Sequence, residues 1–208
     1  SMKPKLAMLL FLFIGVLVPL VLVYFKNKLR TKFDTCQEVE RMVDMPVLGE
    51  IGVDKSGSHV VVGASDTSSS AELFRLLRTN LLFILNDTSD KVVLMTSTNS
   101  GEGKSFISIN LAMSLSLLGK KVLLVGMDIR KPKLSEYLGV NAKFGVTQYL
   151  SSDKISIGDM VVNDPRYGDL DIILSGPIPP NPAELLASKK VDEFFEQLRG
   201  MYDYIIVD

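Results

Sequence analysis

The sequence predicts an α/β fold, a mostly parallel sheet flanked by helices and preceded by one membrane-spanning helix. Three observations predict it. From Lys91 onward, short apolar and β-branched runs alternate with helical ones, the pattern of strands joined by crossover helices. A glycine-bearing turn, Ser100-Gly-Glu-Gly-Lys-Ser105, stands between the first of these strands and the helix after it. Ahead of both, Leu6 to Phe25 carries no charged residue, and a helix needs roughly 20 apolar residues to cross a hydrocarbon core of about 30 Å.

The elements follow in order. Ser1 ahead of Met2 reads as the remnant of a tag, residues 1–5 as the approach to the membrane, and the chain as starting partway into a larger protein. Residues 6–25 are the predicted transmembrane helix, in which Gly15 and Pro19 are tolerable; they account for the positive mean hydropathy of +0.25. A cleaved leader would end in small residues, whereas here Tyr24-Phe25 meets Lys26, Lys28, Arg30 and Lys32. Only Lys3 and Lys5 precede the span, so the positive-inside bias places everything after residue 26 in the cytoplasm. The lone Cys36 suits that reducing compartment. A net charge of −1 gives no sign of a nucleic-acid partner, and His59, without a companion His or Cys, makes no zinc pattern.

Residues 26–70 read as a cytoplasmic juxtamembrane segment and linker. A helix is predicted over Asp34–Met45, stopped by Pro46, because proline disfavours helical backbone in the residue before it. Asp54 to Ser70 is rich in Ser, Gly and Asp around Val60-Val61-Val62, which predicts an exposed or mobile connection. Ser69 and Glu72 have capping-box spacing and open a helix whose Leu73, Leu76, Leu77 and Leu81 recur at helical intervals. Glu72, Arg75 and Arg78 share one slowly rotating face of it. From the residues alone that face is either solvated or an interface.

Residues 71–208 form the predicted nucleotide-binding domain. Strand-like runs fall at Val92–Thr96, Val122–Val125, Leu170–Leu174 and Tyr204–Val207, and helical runs at Phe106–Leu118 and Lys189–Leu198. After the first strand, glycines let the backbone turn its N–H groups around a polyphosphate, and the following helix adds the positive end of its dipole. In that pattern Lys104 reaches the β/γ-phosphates and the Ser105 hydroxyl holds Mg²⁺, with Ser100, Gly101, Glu102, Gly103 and Phe106 completing the cradle. Thr98 stands where the pattern usually starts with glycine. A second strand delivers Asp128, Arg130 and Lys131 at its carboxyl end, facing the loop from a neighbouring strand, and a third ends in Asp208. Hard Mg²⁺ is adequately held by a hydroxyl and one or two carboxylates acting directly or through water, so Ser105, Asp128 and Asp208 are the candidate metal residues. Arg130 either steadies charge on a transferring phosphoryl group or pairs with a carboxylate.

This arrangement resembles the bacterial tyrosine kinases of capsule and exopolysaccharide export, whose kinase domain follows a membrane domain that regulates polysaccharide chain length. The residues that carry the likeness are Pro46-Val-Leu-Gly49, Glu72-Leu-Phe-Arg75-Leu-Leu-Arg78-Thr-Asn80, the Ser100–Ser105 loop, Asp128-Ile-Arg130-Lys-Pro132, Ser175-Gly-Pro-Ile-Pro-Pro-Asn-Pro-Ala-Glu-Leu-Leu186 and Tyr202-Asp-Tyr-Ile-Ile-Val-Asp208. The resemblance implies a P-loop fold at the inner membrane and MgATP-dependent autophosphorylation on tyrosine between neighbouring subunits. Lys104, Asp128, Arg130 and Asp208 would be its catalytic groups, with Asp208 behind the metal. It also implies a ring assembled through Glu72, Arg75 and Arg78, the polysaccharide machinery as partner and a cognate tyrosine phosphatase.

Two departures accompany the resemblance. The family's second strand usually ends in two acids, and here Gly126 replaces the first. The chain also ends at Asp208, before the family's remaining strands and tyrosine-rich tail, so the domain is expected to be incomplete at its C-terminus. Two rivals follow. One is a nucleotide-dependent assembly scaffold without kinase activity. The other is a partitioning or division ATPase switch, a class that usually carries a lysine early in the loop, where this chain has Asn99.

Overall fold

A β-branched strand followed by a glycine turn and a helix dictates the core of the molecule, because each unit buries one apolar face against the next. The computed structural model describes residues 4–28, 36–43, 45–86 and 91–208. They fall into two units, residues 1–47 and 48–208.

The first unit holds α1 (Pro4–Lys28), with Pro19 inside it, and α2 (Cys36–Met42). Every described side chain of α1, Met8 and Phe11 to Phe25, is exposed. Among the described residues no helix is long and apolar enough to cross a membrane. Arg30 and Lys32, and Asp34, Thr35 and Asp44 of the helix predicted over Asp34–Met45, lie outside the described residues.

The second unit is a five-stranded sheet, β1 (Val92–Leu94), β2 (Val122–Val125), β3 (Val161–Asn163), β4 (Leu170–Ile173) and β5 (Tyr204–Val207), in the order β1-β5-β2-β4-β3. The first four in that order are parallel, and β3 runs antiparallel to β4 at the edge. The helices are α3 (Ser69–Leu85), α4 (Lys104–Ser116), α5 (Leu134–Leu138), α6 (Val146–Ser151), α7 (Pro182–Leu186) and α8 (Lys189–Met201). Strand β2 reads Val-Leu-Leu-Val and is buried throughout, as a parallel strand covered on both faces requires. Its side chains alternate. Val122 and Leu124 join Phe74, Leu77, Ile109 and Leu115 on the face covered by α3 and α4. Leu123 and Val125 join Val146, Tyr149, Phe194 and Leu198 under α6 and α8. Each such side chain, fully buried, contributes about 1.5–3 kcal/mol.

Three sequence expectations need correction. The N-cap of α3 is Ser68, whose hydroxyl accepts from the Ala71 amide at 3.2 Å, so the capping signal sits one residue earlier than Ser69. The buried face of that helix is Ala71, Phe74, Leu77 and Leu81, while Leu76 points outward; a helix packed on a single side buries the narrower stripe. The supposedly mobile linker is fastened to the core: Val61 and Val62 are buried. The fastening is a buried side chain, Asn110 of α4. Its Oδ1 accepts from the Val61 amide at 2.7 Å and its Nδ2 donates to the His59 carbonyl at 2.9 Å.

Candidate phosphate-binding site

The register sets the site. Leu94, Val207 and Val125 are at one level across β1, β5 and β2, so the chain leaves all three strands at the same edge of the sheet. β5 is inserted between β1 and β2, so the acid on the strand neighbouring the glycine loop is Asp208. Asp128 starts one strand further away. Its connection curls back, with the amides of Met127 and Asp128 both donating to the Asp208 carbonyl at 2.9 and 3.1 Å. The Asp128 side chain in turn accepts from the amides of Arg130 and Lys131 at 3.2 and 2.9 Å, which holds the turn after β2.

Between β1 and α4 the loop passes through Gly101 and Gly103, both at φ +92°. L side chains rarely adopt that backbone, and glycine adopts it freely. Gly103 caps α4, whose first residues are Lys104 and Ser105. At the entry of the loop the amides of Thr98 and Asn99 both donate to Glu102 Oε2 at 3.0 Å, and Asn99 Nδ2 donates to Oε1 at 3.0 Å. Those bonds, the Asn99 ones first, hold the Glu102 carboxyl below its ordinary range. The loop thus already curls its amides around an anionic oxygen.

Lys104 Nζ lies 3.2 Å from Asp208 Oδ1 and 3.9 Å from Asp128 Oδ2. Asp208 is buried, with its side chain 2% exposed. It accepts from Ser105 Oγ at 2.8 Å through Oδ2 and from Ser108 Oγ at 3.0 Å through Oδ1. A buried carboxylate needs that number of donors to offset its desolvation. Lys104, Ser105, Asp128 and Asp208 therefore converge, at the mouth of a cleft of about 1040 Å³ that Ser100, Gly101, Gly103, Phe106 and Arg130 also line. Phe106 has a second task, an edge contact with Phe74 (ring centroids 5.6 Å apart) that fixes α3 on α4. Arg130 is exposed, and among the described residues its guanidinium has no ion-pair partner.

The donor set suits a hard cation. It offers one hydroxyl and two carboxylates, and Mg²⁺ completes its shell with waters and phosphate oxygens rather than with a protein cage. Among the described residues no group of three or more His, Cys, Asp or Glu gathers to hold a metal unaided.

Glu72, Arg75 and Arg78 lie away from this centre. Arg75 pairs with Glu72 and also donates to the Asp66 carbonyl. Arg78 donates through Nη1 to the Ser114 carbonyl at 2.7 Å, and burial pulls its pKa down. Gly126 stands where a Cβ would come within 3.1 Å of both Leu134 Cδ1 and the Ser175 amide nitrogen. The missing acid is therefore also a packed position. The residues that sequence reasoning missed are Ser108 and Asn110, which look like ordinary helix positions in Phe106–Leu118. Their polarity does not single them out, because Ser114 and Ser116 of the same helix are polar and buried as well.

A family model described as the CobQ/CobB/MinD/ParA nucleotide binding domain matches residues 93–202. EpsB of Ralstonia nicotianae is 32% identical over 208 residues, which covers 94% of this chain and 27% of that protein. The tyrosine-protein kinase YwqD of Bacillus subtilis is 39% identical over 150 residues, 72% of this chain and 62% of its own length. Among solved structures, the BceF tyrosine kinase domain matches with a TM-score of 0.73 and 31% identity, covering 85% of this chain and 76% of that one. The chain thus spans between about a quarter and two thirds of the length of these two curated relatives.

Proposed function

The chain belongs to the CobQ/CobB/MinD/ParA nucleotide-binding domain family and, within it, to the bacterial tyrosine kinases of capsule and exopolysaccharide synthesis, and on that premise we propose that it is a membrane-tethered protein-tyrosine kinase using MgATP. The observation that carries the proposal is the convergence of Lys104 on Asp208 and Asp128 beside Ser105, at the end of a loop with two left-handed glycines.

Bound MgATP would supply the phosphoryl group and neutralise charge on the phosphates. Lys104 would hold the β/γ-phosphates, and the amides of residues 100–106 would cradle them. Ser105 and Asp128 would face the metal, with Asp208 behind Ser105 accepting its hydroxyl proton. Arg130 would lie against the transferring group, where charge spreads over the equatorial oxygens. A phosphotyrosine blot of the full chain incubated with MgATP and an added tyrosine peptide tests the reading. Label is expected on the peptide with the wild type and none with Lys104→Met or Asp128→Asn; a peptide left unlabelled by the wild type would reject it.

The wider reading has its own supports. Leu6–Phe25 carries no charge and meets a basic collar, which favours a span of the inner membrane with the kinase domain in the cytoplasm. The outer side of α3 leaves Glu72, Leu76 and Phe83 exposed, a surface suited to ring assembly and phosphorylation between subunits. The proposal extends to regulation of polysaccharide chain length and export, with a cognate phosphatase to reverse the mark. Gly126 favours a second reading, a scaffold that uses nucleotide only to assemble. It predicts MgATP-dependent oligomers in light scattering with no phosphotyrosine.

A further inference from the structure

On the kinase reading, we propose that the stacked rings of His59 and Tyr137 form the acceptor wall of the cleft, holding the side chain of an incoming tyrosine flanked by acidic residues. The two rings lie 3.9 Å apart at an interplanar angle of 14°, and both line the cleft that contains Lys104, Ser105, Asp128 and Asp208. His59 is placed there deliberately by the fold. It belongs to the segment before α3, and Asn110 clamps it by taking the Val61 amide and donating to the His59 carbonyl. The same Asn110 donates to the Phe106 carbonyl at 2.8 Å, so the wall is tied to the first turn of the phosphate-loop helix.

The cleft has two apolar sides on opposite faces of the sheet. Tyr137 and Phe106 pack with the α3–α4 core; Val191 and Phe195 pack with the α8 core. Tyr137 lies on α5, the helix entered directly from the Asp128–Lys133 connection. Its wall therefore shares one cleft with Lys104 and Asp128 and is joined to them by that short connection. His59 is exposed, so its ring offers a face for offset stacking with a tyrosine ring.

Charge points to the flanks of the acceptor. Arg130 and Lys131 line the same cleft, are exposed, and have no ion-pair partner among the described residues. Lys133 is engaged by Glu136 at 2.6 Å. With Arg130 turned to the transferring group, Lys131 remains as a cation beside the aromatic wall and suits a tyrosine with a glutamate next to it.

The test uses the full chain in detergent micelles with Mg²⁺ and a non-hydrolysable ATP analogue. A fluorescent Glu-Glu-Tyr-Glu-Glu peptide is titrated by anisotropy, with its Tyr→Ala counterpart as control. His59→Ala and Tyr137→Leu are expected to weaken the tyrosine peptide about 10-fold. Tyr137→Phe, which keeps the stack, should leave its affinity within about twofold. Analogue affinity should hold in all three variants. Unchanged peptide affinity in His59→Ala and Tyr137→Leu would overturn the proposal, as would wild-type binding that does not depend on the tyrosine. So would a parallel fall in analogue affinity, which would assign the rings to the nucleobase. Phosphate transfer to the peptide is scored separately: its absence in the wild type rejects the kinase reading, while the peptide affinities still decide the wall.

Discussion

The strand-end centre and the arginine helix α3 are both conspicuous in the sequence, yet the folded chain treats their charges in opposite ways. At the strand ends, Lys104, Asp128 and Asp208 come from three separate segments and meet at an open cleft. On α3 the two arginines are used within the chain: Arg75 on Glu72 and the Asp66 carbonyl, Arg78 on the Ser114 carbonyl. Convergence at the mouth of an open cleft marks a place where a ligand can add further partners. Engagement with one's own backbone marks a brace, whatever else that surface does on assembly.

The comparison breaks most readily at Lys104. Lys104→Met removes the cation that, among the described residues, reaches between the two acids; nucleotide affinity should fall about 100-fold by calorimetry, and the melting temperature should fall as well, because buried Asp208 loses its counter-charge. If affinity held, the cleft would not be the phosphate site. Asp208→Ala should act on folding as well. It strips the hydroxyls of Ser105 and Ser108 and the Lys104 ammonium of a buried acceptor, which should cost about 2 kcal/mol in urea unfolding. A stability change near zero would mean that water replaces the carboxylate freely.

Arg78→Ala sharpens the other side. It gives up the bond to Ser114 and the packing of the arginine stem between α3 and α4, and should cost about 1 kcal/mol even in the monomer. Loss of oligomer mass with no loss of monomer stability would instead make Arg78 an interface residue only. The smallest effect belongs to an ion pair outside both regions. Arg166 bonds Asp164 at 2.7 Å and holds its carboxyl down to about 2. Because the folded pKa is the lower one, the stabilisation is fully present above the unfolded carboxylate range near pH 4 and disappears as pH falls towards 2. Melting temperatures of wild type and Asp164→Asn should therefore differ slightly at pH 5 and draw together as pH falls through about 2.

Much of this was legible before folding, for definite reasons. Val122–Val125 and Tyr204–Val207 are continuous apolar runs, which a doubly covered parallel strand needs, and the glycine loop between β1 and α4 follows from its spacing. The edge strand Val161–Asn163 was not legible, because three residues are too few to show a period and an antiparallel edge pair rests on its neighbour Val161–Ile173 register. The order of strands was hidden too: β5, last in the chain, inserts between β1 and β2, which makes Asp208 rather than Asp128 the nearest acid to Lys104. The linker misled because Ser, Gly and Asp around Val60–Val62 look like a solvated tether. What buries it is a single Asn110 on a distant helix, and no local pattern announces such a partner. At the α3 arginines the motif was plain, but the carbonyls that occupy them belong to Asp66 and Ser114 and appear only in three dimensions.

The central claim is that the strand-end centre passes phosphate to tyrosine. It is tested most directly by incubating the full chain with γ-labelled MgATP and the Glu-Glu-Tyr-Glu-Glu peptide, and counting in one sample the phosphate on tyrosine and the phosphate released to water. Transfer to tyrosine exceeding hydrolysis, with both lost in Lys104→Met, is the predicted result. Label released only as free phosphate, or ATP bound and left intact, would contradict it.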